Sequence, residues 1–183
     1  MGKGLVETLE KEFPLETEWV SYELRPEMPV EGVPLSRRFP EEEIKKRYEG
    51  LRRMGEPMGL VFGDITLTPN SGLALEASEF ARDCNLFDAF HDRVFRAYFS
   101  ETRDIGKMDV LLELAGEVGL DTKDLEAALN ERRFSQRLAD AREEGAQFGI
   151  NAVPAFIING SHKIVGAQPI ETFRAYLKKV QAS

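Results

Sequence analysis

The sequence predicts an α/β fold in which a small strand-bearing framework is interrupted by a long, all-helical insertion. Three observations carry this expectation. Residues 4–24 pass from a helical apolar period to a β-rich run, residues 40–148 keep a helical period with short breaks, and residues 149–183 return to β-rich runs before one amphipathic helix.

Each element has its own reason. Leu5, Val6, Leu9 and Phe13 stand at helical spacing and Pro14 ends the run. The stretch TEWVSYEL, 17–24, is aromatic and β-branched, with Val20, Tyr22 and Leu24 on one face and Trp19 on the other, which predicts a strand. RPEMPVEGVPL follows, and its three prolines and Gly32 predict a loop. PEEEIKKRYEGLRRM has acids in its opening turn and bases in its last, as a helix dipole favours. Further helices are expected over 71–84, 87–100, 107–118, 122–131 and 133–148, the fourth with Asp121 as N-cap. The apolar sets Leu73/Ala77/Phe80/Ala81, Phe87/Phe90/Val94/Phe95/Tyr98 and Val110/Leu111/Leu114 each predict one buried helix face. PAFIING and HKIVGA predict a hairpin turning at Asn159-Gly160, and Pro169 opens a closing helix carrying Ile170, Phe173, Leu177 and Val180.

Helix, strand, helical insertion, hairpin, helix is the order of a thioredoxin-like fold with its first strand missing. In that fold a strand precedes the first helix, and a right-handed crossover makes it parallel to the next strand. The expected division is residues 1–39 and 149–183 for the two halves of the thioredoxin-like part and 40–148 for the insertion.

Composition narrows the function. A chain of 183 residues, 42% hydrophobic, can bury a proper core without disulfides, and its one cysteine, Cys84, closes none within the chain. Net charge −8 and pI near 5.0 supply no basic field for phosphates, so nucleic acid is not an expected partner. No apolar run approaches the roughly 20 residues of a membrane span. The opening MGKGLVETLEKEF has acids where a signal peptide has its apolar centre, so a cytoplasmic protein without a membrane partner is expected. No Cys/His cluster has metal spacing, and neither a metal nor another cofactor is implied.

Five stretches in order carry a resemblance: YELRPEMPVEG at 22–32, NSGLALEASEFAR at 70–82, FDAFHDRVFRAYF at 87–99, GINAVPAFIING at 149–160 and IVGAQPIETF at 164–173. Together they resemble the cytoplasmic DsbA-like thioredoxin family, which includes polyketide-cluster oxidoreductases and is similar to 2-hydroxychromene-2-carboxylate isomerases. The resemblance implies thiol-disulfide exchange on a protein or glutathione-like thiol substrate, and a cis Val153-Pro154 bond before the third strand, facing the first helix. Pro154 at a strand's entrance costs the ladder nothing, and Val153 would present its backbone to an extended guest.

The family's oxidoreductases carry C-x-x-C at the start of the first helix, just before a Gly-Lys like Gly2-Lys3. Both thiols and the preceding strand would then lie upstream of Met1. A start codon placed late or a cloned fragment accounts for this, as does a natural variant that keeps only a binding surface. The chain is expected to be redox-inactive, with no catalytic residue of its own. A glutathione-dependent isomerase or transferase, needing no protein thiol pair, and a non-catalytic peptide-binding module stand as alternatives.

Other candidates each have a plainer reading. Asn70 matches a position near the ligand in the isomerase branch, and a helix cap, the favoured role, explains it without any ligand. His91 shares a helix with Phe87 and Phe95, where it serves either a groove or packing. Cys84 reads as a small, partly buried apolar residue, His162 as an exposed hairpin tip, and Phe87, Phe90, Phe95, Tyr98 and Phe99 as core. With the first strand absent, exposed pairing edges predict a homodimer or a rearranged sheet.

Overall fold

The computed structural model describes residues 2–181. In chain order its elements are α1 (Gly2–Glu10), β1 (Val33–Pro34), α2 (Glu41–Gly55), β2 (Leu67–Thr68), α3 (Gly72–Asp83), α4 (Phe87–Phe99), α5 (Met108–Glu117), α6 (Thr122–Asn130), α7 (Ser135–Gln147), β3 (Ala155–Ile158), β4 (His162–Val165) and α8 (Ile170–Gln181). The fold is the expected α/β, thioredoxin-like class with a helical insertion. Every expected helix is present, with ends displaced by at most three residues.

The chain forms two compact units, Met1–Val20 with Glu143–Ser183, and Ser21–Arg142. The expected divisions stood at 39/40 and 148/149. Residues 21–39 belong with the helical unit because their polar groups are satisfied there. Ser21 Oγ donates to Glu79 Oε1 at 2.6 Å, Glu23 pairs with Arg142, and Met28 O accepts from Asn70 Nδ2 at 2.6 Å. The antiparallel pair Val33–Thr68 and Pro34–Leu67 completes the attachment.

In the helical unit α3, α4, α5 and α6 enclose a core that includes Ala77, Phe80, Phe90, Leu111, Leu114 and Leu125. Each fully buried Leu or Phe contributes about 1.5–3 kcal/mol relative to exposure. Asp121 caps α6 as expected, its side chain accepting from the backbone N–H groups of Lys123 at 2.9 Å and Asp124 at 3.0 Å.

Three expectations need correction. Residues 17–24 form no strand: a strand exists through its ladder, and among the described residues no strand pairs with this run, leaving Val20 57% exposed. The aromatic set of α4 is not all core. Phe90, Val94 and Ala97 are buried, whereas Phe87, His91, Phe95 and Phe99 form a separate row along the helix, with Phe95 49% exposed. Cys84 is exposed rather than partly buried, because it follows the last turn of α3.

The other unit packs α1 and α8 with the β3–β4 hairpin around Leu9, Phe13, Ile164, Phe173 and Leu177, and the rings of Phe156 and Phe173 meet edge to face at 4.9 Å. The hairpin register runs Ala155–Val165, Phe156–Ile164, Ile157–Lys163 and Ile158–His162. Asn159 and Gly160 turn it with φ of 50° and 64°, a left-handed pair that Asn-Gly tolerates. Arg174 clamps α8 to the end of α1, with Nη2 2.6 Å and Nε 2.8 Å from the two Glu12 carboxylate oxygens. The Arg174 guanidinium holds the Glu12 carboxyl below its usual range.

Candidate functional site

Three short segments of the hairpin unit build the candidate site: the first turn of α1, the residues leading into β3, and the loop that follows α7. The Val153-Pro154 peptide bond is cis. Pro154 O accepts from Gly166 N at 2.7 Å, so the last rung of the ladder falls on the proline. In an antiparallel pair such a residue would return a second bond through its own N–H, which proline lacks, and the ladder stops there.

That rung fixes the parity of β3. Pro154, Phe156 and Ile158 turn their backbone groups toward β4, so those of Ala155 and Ile157 face the opposite edge. Among the described residues no strand pairs with that edge. Val153, the residue before the proline, is 51% exposed. An extended chain laid along it would meet the edge of β3 that no strand pairs with among the described residues, the requirement for strand addition.

Gly2 brings the helix against this corner. A Cβ built on it would stand 3.1 Å from Cβ and 3.3 Å from Cγ of Pro154, so a bare backbone lets the first turn of α1 rest on the proline ring. The approach to Val153 is tied down separately. Lys163 Nζ donates to Phe148 O at 2.7 Å and Gly149 O at 3.1 Å, neutralising carbonyls just past the C-terminus of α7, and Gly149 turns the chain with φ of 61°.

Of the sequence-predicted residues, Val153 and Pro154 lie together at this corner, whereas Asn70 and His91 belong to the helical unit. Asn70 Oδ1 accepts from Gly72 N at 2.9 Å while its amide donates to Met28 O, so it satisfies the first N–H of α3 from the residue before the N-cap, Ser71, and anchors the loop at 25–32. His91 stacks on Phe87 at 5.4 Å and meets Phe95 at 4.3 Å. Sequence reasoning missed Lys163, whose ammonium reads as one more surface cation until the register of β4 places it beside the end of α7. It also missed Glu76, a fully buried acid of α3 beside Arg132, and the only hint was an acid among the small apolar residues of LALEASEF. No group of acids, His and Cys among the described residues could hold a metal ion, and no helix among them is long and apolar enough to cross a membrane.

Comparison with known proteins identifies the family and the fold. A model of the DSBA-like thioredoxin domain matches residues 4–178. The Bacillus subtilis (strain 168) "Uncharacterized protein YwbO" is 34% identical over 190 residues, spanning 99% of this chain and 90% of the relative. The probable DsbA oxidoreductase SCO1869 from Streptomyces coelicolor superposes with a TM-score of 0.90 at 22% identity, over 100% of this chain and 84% of that one. The cytosolic disulfide reductase DsbM from Pseudomonas aeruginosa with GSH superposes with a TM-score of 0.50 at 24% identity, over 73% of this chain and 77% of the other.

Proposed function

The chain belongs to the DSBA-like thioredoxin domain family, and from that premise we propose that its hairpin unit holds a thiol or disulfide substrate against Val153 and Pro154. The observation that carries this reading is the meeting of the α1 start with Pro154 beside an exposed Val153. The substrate backbone pairs with Val153, which sets its sulfur near the first turn of α1. Recognition is then by main-chain groups, so both an extended cysteine peptide and a small thiol tripeptide fit.

These 183 residues hold Cys84 alone, and exchange through a resolving thiol needs two. These residues therefore bind without turning over. An insulin-reduction assay with dithiothreitol tests this: the expected result is no acceleration by the parent chain or by Cys84→Ser. Acceleration that survives Cys84→Ser overturns it.

The DsbM neighbour was solved with GSH, which makes glutathione the small thiol to try first. Calorimetry separates the readings. Binding without turnover supports substrate presentation, and glutathione-dependent isomerisation or transfer by a cysteine-free variant supports the isomerase alternative. That neighbour is cytosolic, which supports a cytoplasmic setting for this chain.

A further inference from the structure

The helical unit carries an aromatic row that its own core does not use. Phe87, His91, Phe95 and Phe99 follow one another at four-residue spacing along α4, with ring centroids 5.4, 4.3 and 5.5 Å apart. Phe62 meets Phe99 edge to face at 5.8 Å, and Val61, 70% exposed, is tied to the same end by Ser100 Oγ donating to its carbonyl at 2.7 Å. The row is continuous from the first turn of α4 to its last, and Phe95 near its centre is 49% exposed. An apolar strip of this kind on a chain of net charge −8 marks an interaction surface.

The charges beside the strip indicate the occupant. The neighbouring row on α4 reads Asp88, Asp92, Arg96: acidic at the N-terminal end and basic at the C-terminal end. Two antiparallel copies of α4 related by a two-fold axis keep this row on the same side of the contact. Arg96 of one copy then lies level with the partner's Asp88 and Asp92, and the reverse holds across the axis. Arg96 has 73% of its side chain exposed, and its Glu101 partner at 3.2 Å is shared with Arg93. We infer that a second copy of this chain is the partner, docking α4 on α4 antiparallel through Phe87, His91, Phe95 and Phe99.

One 13-residue helix face is smaller than the roughly 800 Å² per partner of a stable interface, so the dimer is reversible. Sedimentation velocity from about 1 to about 500 μM spans the expected dissociation range. The parent chain should shift from monomer to dimer across it. Phe95→Glu, at an exposed position, should raise the dissociation constant at least about tenfold with unchanged circular dichroism. Arg96→Asp alone and the pair Asp88→Arg with Asp92→Arg should each weaken self-association, and mixing the two variants should restore a dimer. A parent that stays monomeric throughout overturns the inference and leaves the strip to a different partner. A dimer that survives Phe95→Glu overturns it too, and places self-association at another surface such as the open edge of β3.

Discussion

Gly2 and Pro154 stand so close that a single added carbon on the glycine would lie 3.1 Å from the proline Cβ. Two effects oppose each other at this position. Alanine improves the helix by up to about 1 kcal/mol over glycine, while its methyl must displace the ring by a few tenths of an ångström. Gly2→Ala should therefore stay within about 1 kcal/mol of the parent. Gly2→Val adds two further carbons and should lose about 1–3 kcal/mol by overpacking, read as a lower denaturant midpoint at unchanged slope. A valine variant as stable as the parent would mean that the first turn of α1 does not bear on Pro154.

Lys163 offers a second test, because it supports the approach to Val153 without touching it. Lys163→Met keeps the stem and removes both donors to Phe148 O and Gly149 O. Since the ammonium is exposed, the loss should be about 1 kcal/mol. Hydrogen exchange at residues 148–153 should quicken while the helical unit is unaffected. Unchanged exchange there would show that the loop holds its shape by itself.

Much of the architecture is legible in the sequence. Helices announce themselves through a local period, and Asp121, Pro169 and Asn159-Gly160 mark ends and turns by chemistry confined to a few residues. Pro154 was legible as well, through the stretch around it. What escaped depends on distant partners. TEWVSYEL has strand composition, yet a strand needs a ladder, and none reaches it among the described residues. The aromatic residues of α4 looked like one face because apolar character alone cannot say which of two adjacent rows meets α3 and α5. Glu76 is enclosed by the packing of the helices, which no local pattern announces.

That enclosed acid makes stability depend on pH. Glu76 is 0% exposed, with Oε1 2.6 Å from Arg132 Nε. Burial pushes its carboxyl above the ordinary 4.5, and Arg132 offsets only part of this. A folded pKa above the unfolded one favours the fold while the group is protonated, and this contribution is lost as pH rises from the unfolded value through the folded one. Glu76→Gln cannot ionise. It should melt higher than the parent at about pH 8, with the gap closing toward about pH 4.5. A glutamine variant that melts lower at the upper pH would show that pairing with Arg132 outweighs the burial cost.

Asp121→Ala should cost about 0.5–2 kcal/mol, because the α6 cap supplies acceptors for two N–H groups that the helix itself cannot satisfy. Asp121→Asn should recover most of it in chemical denaturation. Equal losses for both would assign the effect to charge rather than to capping.

The most direct test of the proposed role is an amide-resolved NMR titration of the 183-residue chain with reduced glutathione, repeated with an extended cysteine peptide. Substrate presentation predicts saturable shifts at Val153, Ala155, Gly2 and Lys3, unchanged by Cys84→Ser. Shifts confined to α3 and α4, or none up to saturating ligand, would contradict it.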